Sequence, residues 1–137
     1  MNQSTRMKLT FISVLFMASI STAVAQNKLA ESISRGQQVY LASCMSCHME
    51  NGEGVEGAFP PLVKTEYVTG DPETLIKIIL HGQTGEIKVN GNIYNMDMPA
   101  QGHLSDEEVA DVANYIRNSW GNQSKKTVSP QEVKALR

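Results

Sequence analysis

Apolar positions recur at helical spacing in several stretches of the chain, separated by runs rich in Gly, Pro and Asn. The first runs from about Ser32 to Cys44, where Ile33, Gly36, Gln37, Tyr40 and Leu41 form a helical pattern with no β-branched run that would read as a strand. Asp71-Pro72-Glu73 opens a second helix with an N-cap residue, a proline at the first helical position and an early acid, and Gly82 closes it. Leu75, Ile76, Ile79 and Leu80 give that helix a core face, and His81 falls in its last turn, where an imidazolium suits the dipole. Ser105 with Glu108 predicts a capping box, Asp106 and Glu107 add charge to the first turn, and Val109, Val112, Ala113 and Ile116 form a buried stripe. Ser129-Pro130-Gln131-Glu132 repeats the start signal after a polar linker, with Val133 and Leu136 available to pack. Between the second and third helices, Ile87-Lys88-Val89 and Asn92-Ile93-Tyr94 can pair as a small hairpin across Asn90-Gly91. The prediction is an all-α domain of about three to five helices, with Trp120 as a core anchor.

Residues 1–25 follow a different pattern. Arg6 and Lys8 precede an apolar stretch, Leu9 to Val24, that is diluted by Thr10, Ser13, Ser19, Ser21 and Thr22 and ends in the small residues Ala23-Val24-Ala25. This is the layout of a Sec-type signal peptide cleaved after Ala25; the alternative is an uncleaved N-terminal membrane anchor, for which the stretch is short and polar. The expected organisation is therefore a signal peptide at 1–25, a domain at 26–122, and a linker with a short C-terminal helix packing on the domain at 123–137. Export implies the periplasm, with no stable membrane span after cleavage. In such a compartment two cysteines are disulfide-bonded, metal-bound or covalently modified.

Composition narrows the classes. A chain of 137 residues, 41% hydrophobic and 19% charged, has the size of one globular domain, and its 10 Gly and 5 Pro lie in no low-complexity tract. The formal charge of -2 includes no basic stripe, which excludes nucleic acid as a partner. Loss of Arg6 and Lys8 with the signal leaves 10 basic against 14 acidic groups, a charge of -4 that suits a partner with a basic rim. Lys125 and Lys126 in the linker are ordinary solvated side chains or a local steering patch.

Both cysteines belong to Cys44-Met45-Ser46-Cys47-His48, the C-x-x-C-H pattern of covalent haem attachment. Residues three apart on a helical turn share a side, so two thiols reach one edge of a porphyrin while the adjacent imidazole reaches the iron. A redox dithiol would place its C-x-x-C after a strand, and a zinc site would require further ligands, whereas His81 and His103 stand alone. In this reading Gly54 and Gly57 let the backbone pass close to the haem edge, the alternative being a plain flexible turn. For a second axial ligand the chain offers Met96, Met98 and His103; Met45 and Met49 adjoin the attachment site. Pro99 drives Met98 out of the α region, which leaves its thioether free to project from a loop.

The order of Gly36-Gln37-Gln38-Val39-Tyr40, Cys44 to His48, Gly52-Glu53-Gly54, Phe59-Pro60-Pro61-Leu62, Met98-Pro99 and Asn114-Tyr115-Ile116 resembles that of the class I c-type cytochromes, over nearly the whole exported chain. The resemblance implies the small cytochrome c fold wrapped around one covalently bound haem c. It implies thioether links at Cys44 and Cys47, and His48 and Met98 as axial ligands of the haem iron, with Met96 as the alternative sixth ligand. It also implies that the Pro60 carbonyl holds the axial imidazole, although Pro61 departs from the commoner residue beside it. Gly36 and Tyr40 are expected to cross Val112 and Tyr115. Iron with both axial sites filled carries electrons one at a time and is not an enzyme. The expected role is transfer between redox protein partners of a respiratory chain, a donor dehydrogenase or quinol-oxidising complex and an acceptor oxidase or reductase. Two alternatives are the cytochrome c subunit of a larger dehydrogenase or oxidoreductase complex, and a haem sensor or peroxidase with a labile Met ligand.

Overall fold

The stripe Val109, Val112, Ala113 and Ile116 is buried on helix Asp106–Asn118 in a computed structural model that describes residues 26–124 and 126–137. The signal peptide expected at 1–25 and Lys125 lie outside the described residues. Residues up to 31 group separately from a unit of residues 32–137, and that second unit is the subject below. Residues 26–31 are helical, so helical structure begins ahead of the expected start at Ser32.

Within residues 32–137, α1 covers 32–43 and is followed by α2 (Met45–His48), α3 (Glu66–Thr69) and α4 (Pro72–His81). A two-stranded hairpin comes next, β1 (Ile87–Val89) and β2 (Asn92–Tyr94), then α5 (Asp106–Asn118) and α6 (Pro130–Lys134). The strands pair Ile87 with Tyr94 and Val89 with Asn92; Asn90 (φ 48°) and Gly91 (φ 87°) make the tight turn that the Asn-Gly pair predicts. Both predicted capping boxes form: the Ser105 hydroxyl accepts from Glu108 N while Glu108 accepts from Ser105 N at 2.8 Å, and Ser129 and Glu132 repeat the arrangement. Asp71 occupies the N-cap of α4, but its side chain makes no capping bond, so Pro72 and the acidic first turn define that start. Helix α3 was not expected; Thr65 caps it by accepting from Val68 N at 3.3 Å.

The core forms where α1 crosses α5. A Cβ on Gly36 would lie 2.0 Å from the Asp111 carbonyl oxygen and 2.9 Å from Tyr115 Cβ, so the missing side chain lets the two helices meet at backbone distance. One turn on, the fully buried Tyr40 ring packs against Tyr115 (5.4 Å) and Trp120 (5.0 Å), as expected for a core-anchoring Trp120. Polar groups at the crossing satisfy one another: Asp111 accepts from Ser32 Oγ and Arg35 Nε, both at 2.6 Å, and Asn114 donates to Ser32 Oγ at 2.9 Å. Farther along α5, Arg117 donates to the Val68 and Gly70 carbonyls and ties down α3.

Helix α6 buries Val133 on the core, with Leu136 against it. Arg137 then binds Asp106 at 2.6 Å and donates to the Gly102 and Leu104 carbonyls, and His81 Nε2 donates to the Leu136 carbonyl at 3.1 Å. Among the described residues, no helix is long and apolar enough to cross a membrane.

Two stability predictions arise from these contacts. Gly36→Ala should cost about 3 kcal/mol in denaturant unfolding of the haem-loaded protein, because backbone rather than a flexible side chain blocks the new methyl group. Gly85→Ala, with open space around it and only a left-handed φ of 79° to resist it, should cost about 1 kcal/mol. The second concerns acid. Bonds from the Ser129 N–H and hydroxyl hold the Glu132 carboxyl below the usual carboxylate range. Its stabilisation is therefore complete above that range and disappears as pH falls through the depressed value. Glu132→Gln should be less stable than wild type at neutral pH, and the gap should close as pH falls through the depressed value of the Glu132 carboxyl.

Candidate functional site

Helix α2 places both cysteines and His48 on one wall of an apolar cleft. Cys47 N and His48 N donate to the Cys44 carbonyl at 3.2 and 3.0 Å, which winds the motif into a single turn and puts its three side chains on the cleft side. The two cysteines form no disulfide with each other. Burial, with a smaller contribution from Cys47, pushes the Cys44 thiol up to about 11 and keeps it protonated near neutrality.

His48 is buried, and its Nδ1 lies 2.9 Å from the Pro60 carbonyl. A carbonyl only accepts, so Nδ1 carries the proton and Nε2 keeps a free lone pair. Burial lowers the imidazole pKa, opposed by the bond to Pro60, and the ring stays neutral near pH 7. Of the two adjacent prolines, Pro60 is the one whose carbonyl makes this contact.

The loop that delivers Pro60 is folded back on α2. Gly54 N donates to the His48 carbonyl at 3.1 Å, Val55 N to the Phe59 carbonyl at 2.8 Å and Leu62 N to the Gly52 carbonyl at 2.7 Å. A Cβ on Gly54 would stand 2.4 Å from the Phe59 carbonyl oxygen, so this glycine admits the returning backbone. At Gly57 no protein atom lies within 4 Å of where a Cβ would be, and its φ of 73° is that of a turn residue. From behind, the buried Asn122 side chain accepts from Lys64 N at 2.7 Å and donates to the Leu62 and Ile116 carbonyls. It joins the far end of the loop to α5.

The rest of the cleft is mainly apolar, although Thr65, Gln83, Asp97 and Gln101 also line it. Val68, Leu75, Ile79, Val89, Leu104 and Ile116 line it, and it encloses about 1020 Å³ of space outside protein atoms, open mouth included. Met96 and Met98 both reach it; His81 and His103 are not among its lining residues. Met98 is fixed through its backbone, since Gln83 N donates to its carbonyl at 3.0 Å and Met98 N donates to the Gln83 carbonyl at 2.8 Å. Met96 is 56% exposed, whereas Met98 is partly buried. Sequence reasoning did not find the contributions of Gln83, Asn122 and α3. Thr65-Glu66, an N-cap followed by an acid, was the available signal for α3.

Two thiols and a neutral imidazole on one helical turn, two thioethers on a distant loop and apolar walls between them fit a flat, largely hydrophobic macrocycle with a metal at its centre. Among the described residues, no group of three His, Cys, Asp or Glu side chains is arranged to hold a metal ion directly. Fold and site together define a small helical haem-binding domain of the C-x-x-C-H kind.

The chain belongs to the cytochrome c family, whose model, described as Cytochrome c, matches residues 33–120. It is 37% identical over 139 residues to cytochrome c-552 of Thermus thermophilus, an alignment covering 96% of this chain and 87% of that protein. It is also 41% identical over 105 residues to the cytochrome c subunit of the quinone alcohol dehydrogenase of Gluconobacter oxydans, covering 74% of this chain and 22% of that subunit. The gluconate 2-dehydrogenase cytochrome c subunit of Pantoea cypripedii shows the same identity over the same length, covering 24% of the subunit. The protein is an electron-transfer protein with a covalently bound haem c, and it is a carrier rather than an enzyme.

Proposed function

We propose that Cys44 and Cys47 hold the haem through thioether bonds, that His48 Nε2 and the Met98 thioether are the axial ligands of its iron, and that the Pro60 carbonyl orients His48. The observation that carries this reading is the 2.9 Å contact from His48 Nδ1 to Pro60, which leaves the other ring nitrogen unprotonated in a cleft that also contains both thiols. Met98 is preferred over Met96 because the two-way bridge to Gln83 fixes its backbone beside the cleft, while Met96 is largely in solvent. When bound, the haem supplies a reversible one-electron change between ferric and ferrous iron. The chain's own part is to bury the site, keep His48 neutral, aim its lone pair and limit the entry of water through the apolar walls.

The protein then works after export, in the periplasm, as a mobile member of a respiratory chain. It accepts an electron from a dehydrogenase or quinol-oxidising complex and passes it to an oxidase or reductase. The charge of -4 after signal cleavage favours partners with basic surfaces. A second reading is supported by the 41% identity to two dehydrogenase cytochrome subunits, in which this chain would be the electron-transfer subunit of a larger complex.

The test of ligation is the visible spectrum of the haem-loaded protein with haem staining after denaturation. Stain should persist in wild type and disappear in Cys44→Ser/Cys47→Ser. The weak far-red band of thioether ligation should vanish in Met98→Leu and persist in Met96→Leu; the reverse pattern would transfer the sixth ligand to Met96. For the role, size exclusion of native extract should place the haem protein near its own mass, with slow binding of carbon monoxide to the ferrous form. Elution with a large dehydrogenase subunit would establish the second reading, and rapid carbon monoxide binding would point to sensing or peroxidase chemistry.

A further inference from the structure

The residue directly after His48 has an unusual backbone. Met49 ends α2 with φ 63° and ψ 169°, a region occupied almost only by glycine, because a Cβ there crowds the neighbouring peptides. A methionine persists in this conformation only if the surroundings over-determine it. On one side Met49 N donates to the Met45 carbonyl at 2.9 Å. On the other, the Met49 carbonyl turns inward and accepts from the Tyr40 hydroxyl at 2.6 Å, with a longer bond from Gly52 N at 3.3 Å.

Tyr40 is well placed to hold that carbonyl. It is fully buried on α1, and its ring is wedged between Tyr115 and Trp120, so the hydroxyl cannot swing away. Trp120 also lies over Gly52, where a Cβ would come within 2.6 Å of the indole. The same aromatic group thus supports two points of the 49–54 turn. From that turn the chain returns to place Gly54 N on the His48 carbonyl and the Pro60 carbonyl on His48 Nδ1.

We infer that Tyr40 is a positioning residue for the axial histidine: by donating to the Met49 carbonyl, its hydroxyl holds the strained turn that brings the Pro60 carbonyl to His48 Nδ1. The inference rests on the reading of His48 as an iron ligand. Its consequence is electronic. A firm Nδ1–H to carbonyl bond makes Nε2 a stronger donor and favours ferric iron, so loosening the turn weakens the donor and raises the reduction potential.

The experiment is a potentiometric titration of haem-loaded wild type, Tyr40→Phe, Met49→Gly and the double variant. Tyr40→Phe keeps the ring and loses only the hydroxyl. It should shift the equilibrium toward ferrous iron about threefold, about 28 mV at 59 mV per decade for one electron. Met49→Gly adopts the turn without strain and should retain the wild-type potential. The double variant should match Met49→Gly, because an unstrained turn no longer depends on the clamp. A wild-type potential in Tyr40→Phe, even with reduced stability, would overturn the inference, as would a double variant shifted as far as Tyr40→Phe alone. Should Tyr40→Phe fail to assemble with haem, Met49→Gly must restore assembly in the double variant, and failure to do so counts against the clamp. Loss of the ligand reading is separately visible: His48→Gly would then leave the wild-type spectrum unchanged.

Discussion

The close crossing of α1 and α5 at Gly36 is the constraint on which the rest of the structure depends. With a hydrogen in place of a side chain, the helices meet at backbone distance, and everything along α1 is positioned by that contact. Tyr40 falls one turn beyond the crossing and enters the aromatic group with Tyr115 and Trp120; Cys44 falls one turn beyond Tyr40 and starts the attachment motif. On the α5 side, Ile116 reaches the cleft that Cys44 and His48 line. One helix pair therefore spaces the attachment wall of the site from the wall behind it. A shift at Gly36 would move both, which is why a single missing methyl group matters more here than its area suggests.

Apolar packing alone would leave that pair free to slide, because Val and Ala side chains on α5 fill space without specifying register. Polar side chains of α5 supply the specification. Asp111 fits only between Ser32 and Arg35, and Asn114 bridges Ser32 to Val128, whose N–H it accepts at 2.8 Å and whose carbonyl it donates to at 2.9 Å. Each satisfied bond contributes a net of about 1 kcal/mol, but leaving such a buried group unpaired costs about 1–3 kcal/mol, so any displaced register loses more than the native one gains. Asn122 applies the same logic to the loop beneath His48.

The parts of the fold legible in the sequence were those written in local chemistry. Ser105 with Glu108 and Ser129 with Glu132 announced two helix starts that the structure reproduces bond for bond, and Asn90-Gly91 announced the hairpin turn. That Cys44, Cys47 and His48 would face one side was legible for the same reason, since their spacing is a property of one helical turn. Less legible were features whose partners lie far along the chain. Asp71 carried a cap signal without making the bond, because Pro72 already begins the helix without an N–H to satisfy. Gln83 had no local signal at all; its importance comes from pairing with Met98, fifteen residues on. Pro99 could extend the backbone at Met98, but the choice between Met96 and Met98 depends on that distant bridge. Gly54 and Gly57 look alike in sequence, and only the returning Phe59-Pro60 backbone shows that Gly54 is a point of close backbone approach.

An electron carrier must change its charge without changing its shape, and the distribution of polarity around the cleft meets that requirement. The walls are mainly apolar, so a change of charge at the centre has few mobile dipoles nearby to reorient. The His48 imidazole on the cleft wall is already held by the Pro60 carbonyl, which in turn sits on a loop closed by backbone bonds to α2 and by Asn122 to α5. Burial also disfavours a charged imidazole, so the proposed ligand is ready without first losing a proton. Rigid, preformed and poorly hydrated surroundings of this kind keep the energetic difference between the two oxidation states dependent on ligand identity and burial rather than on rearrangement of the protein. The same rigidity explains why the polar pins lie on α5, outside the cleft: they fix the frame while contributing no mobile charge to the centre it encloses.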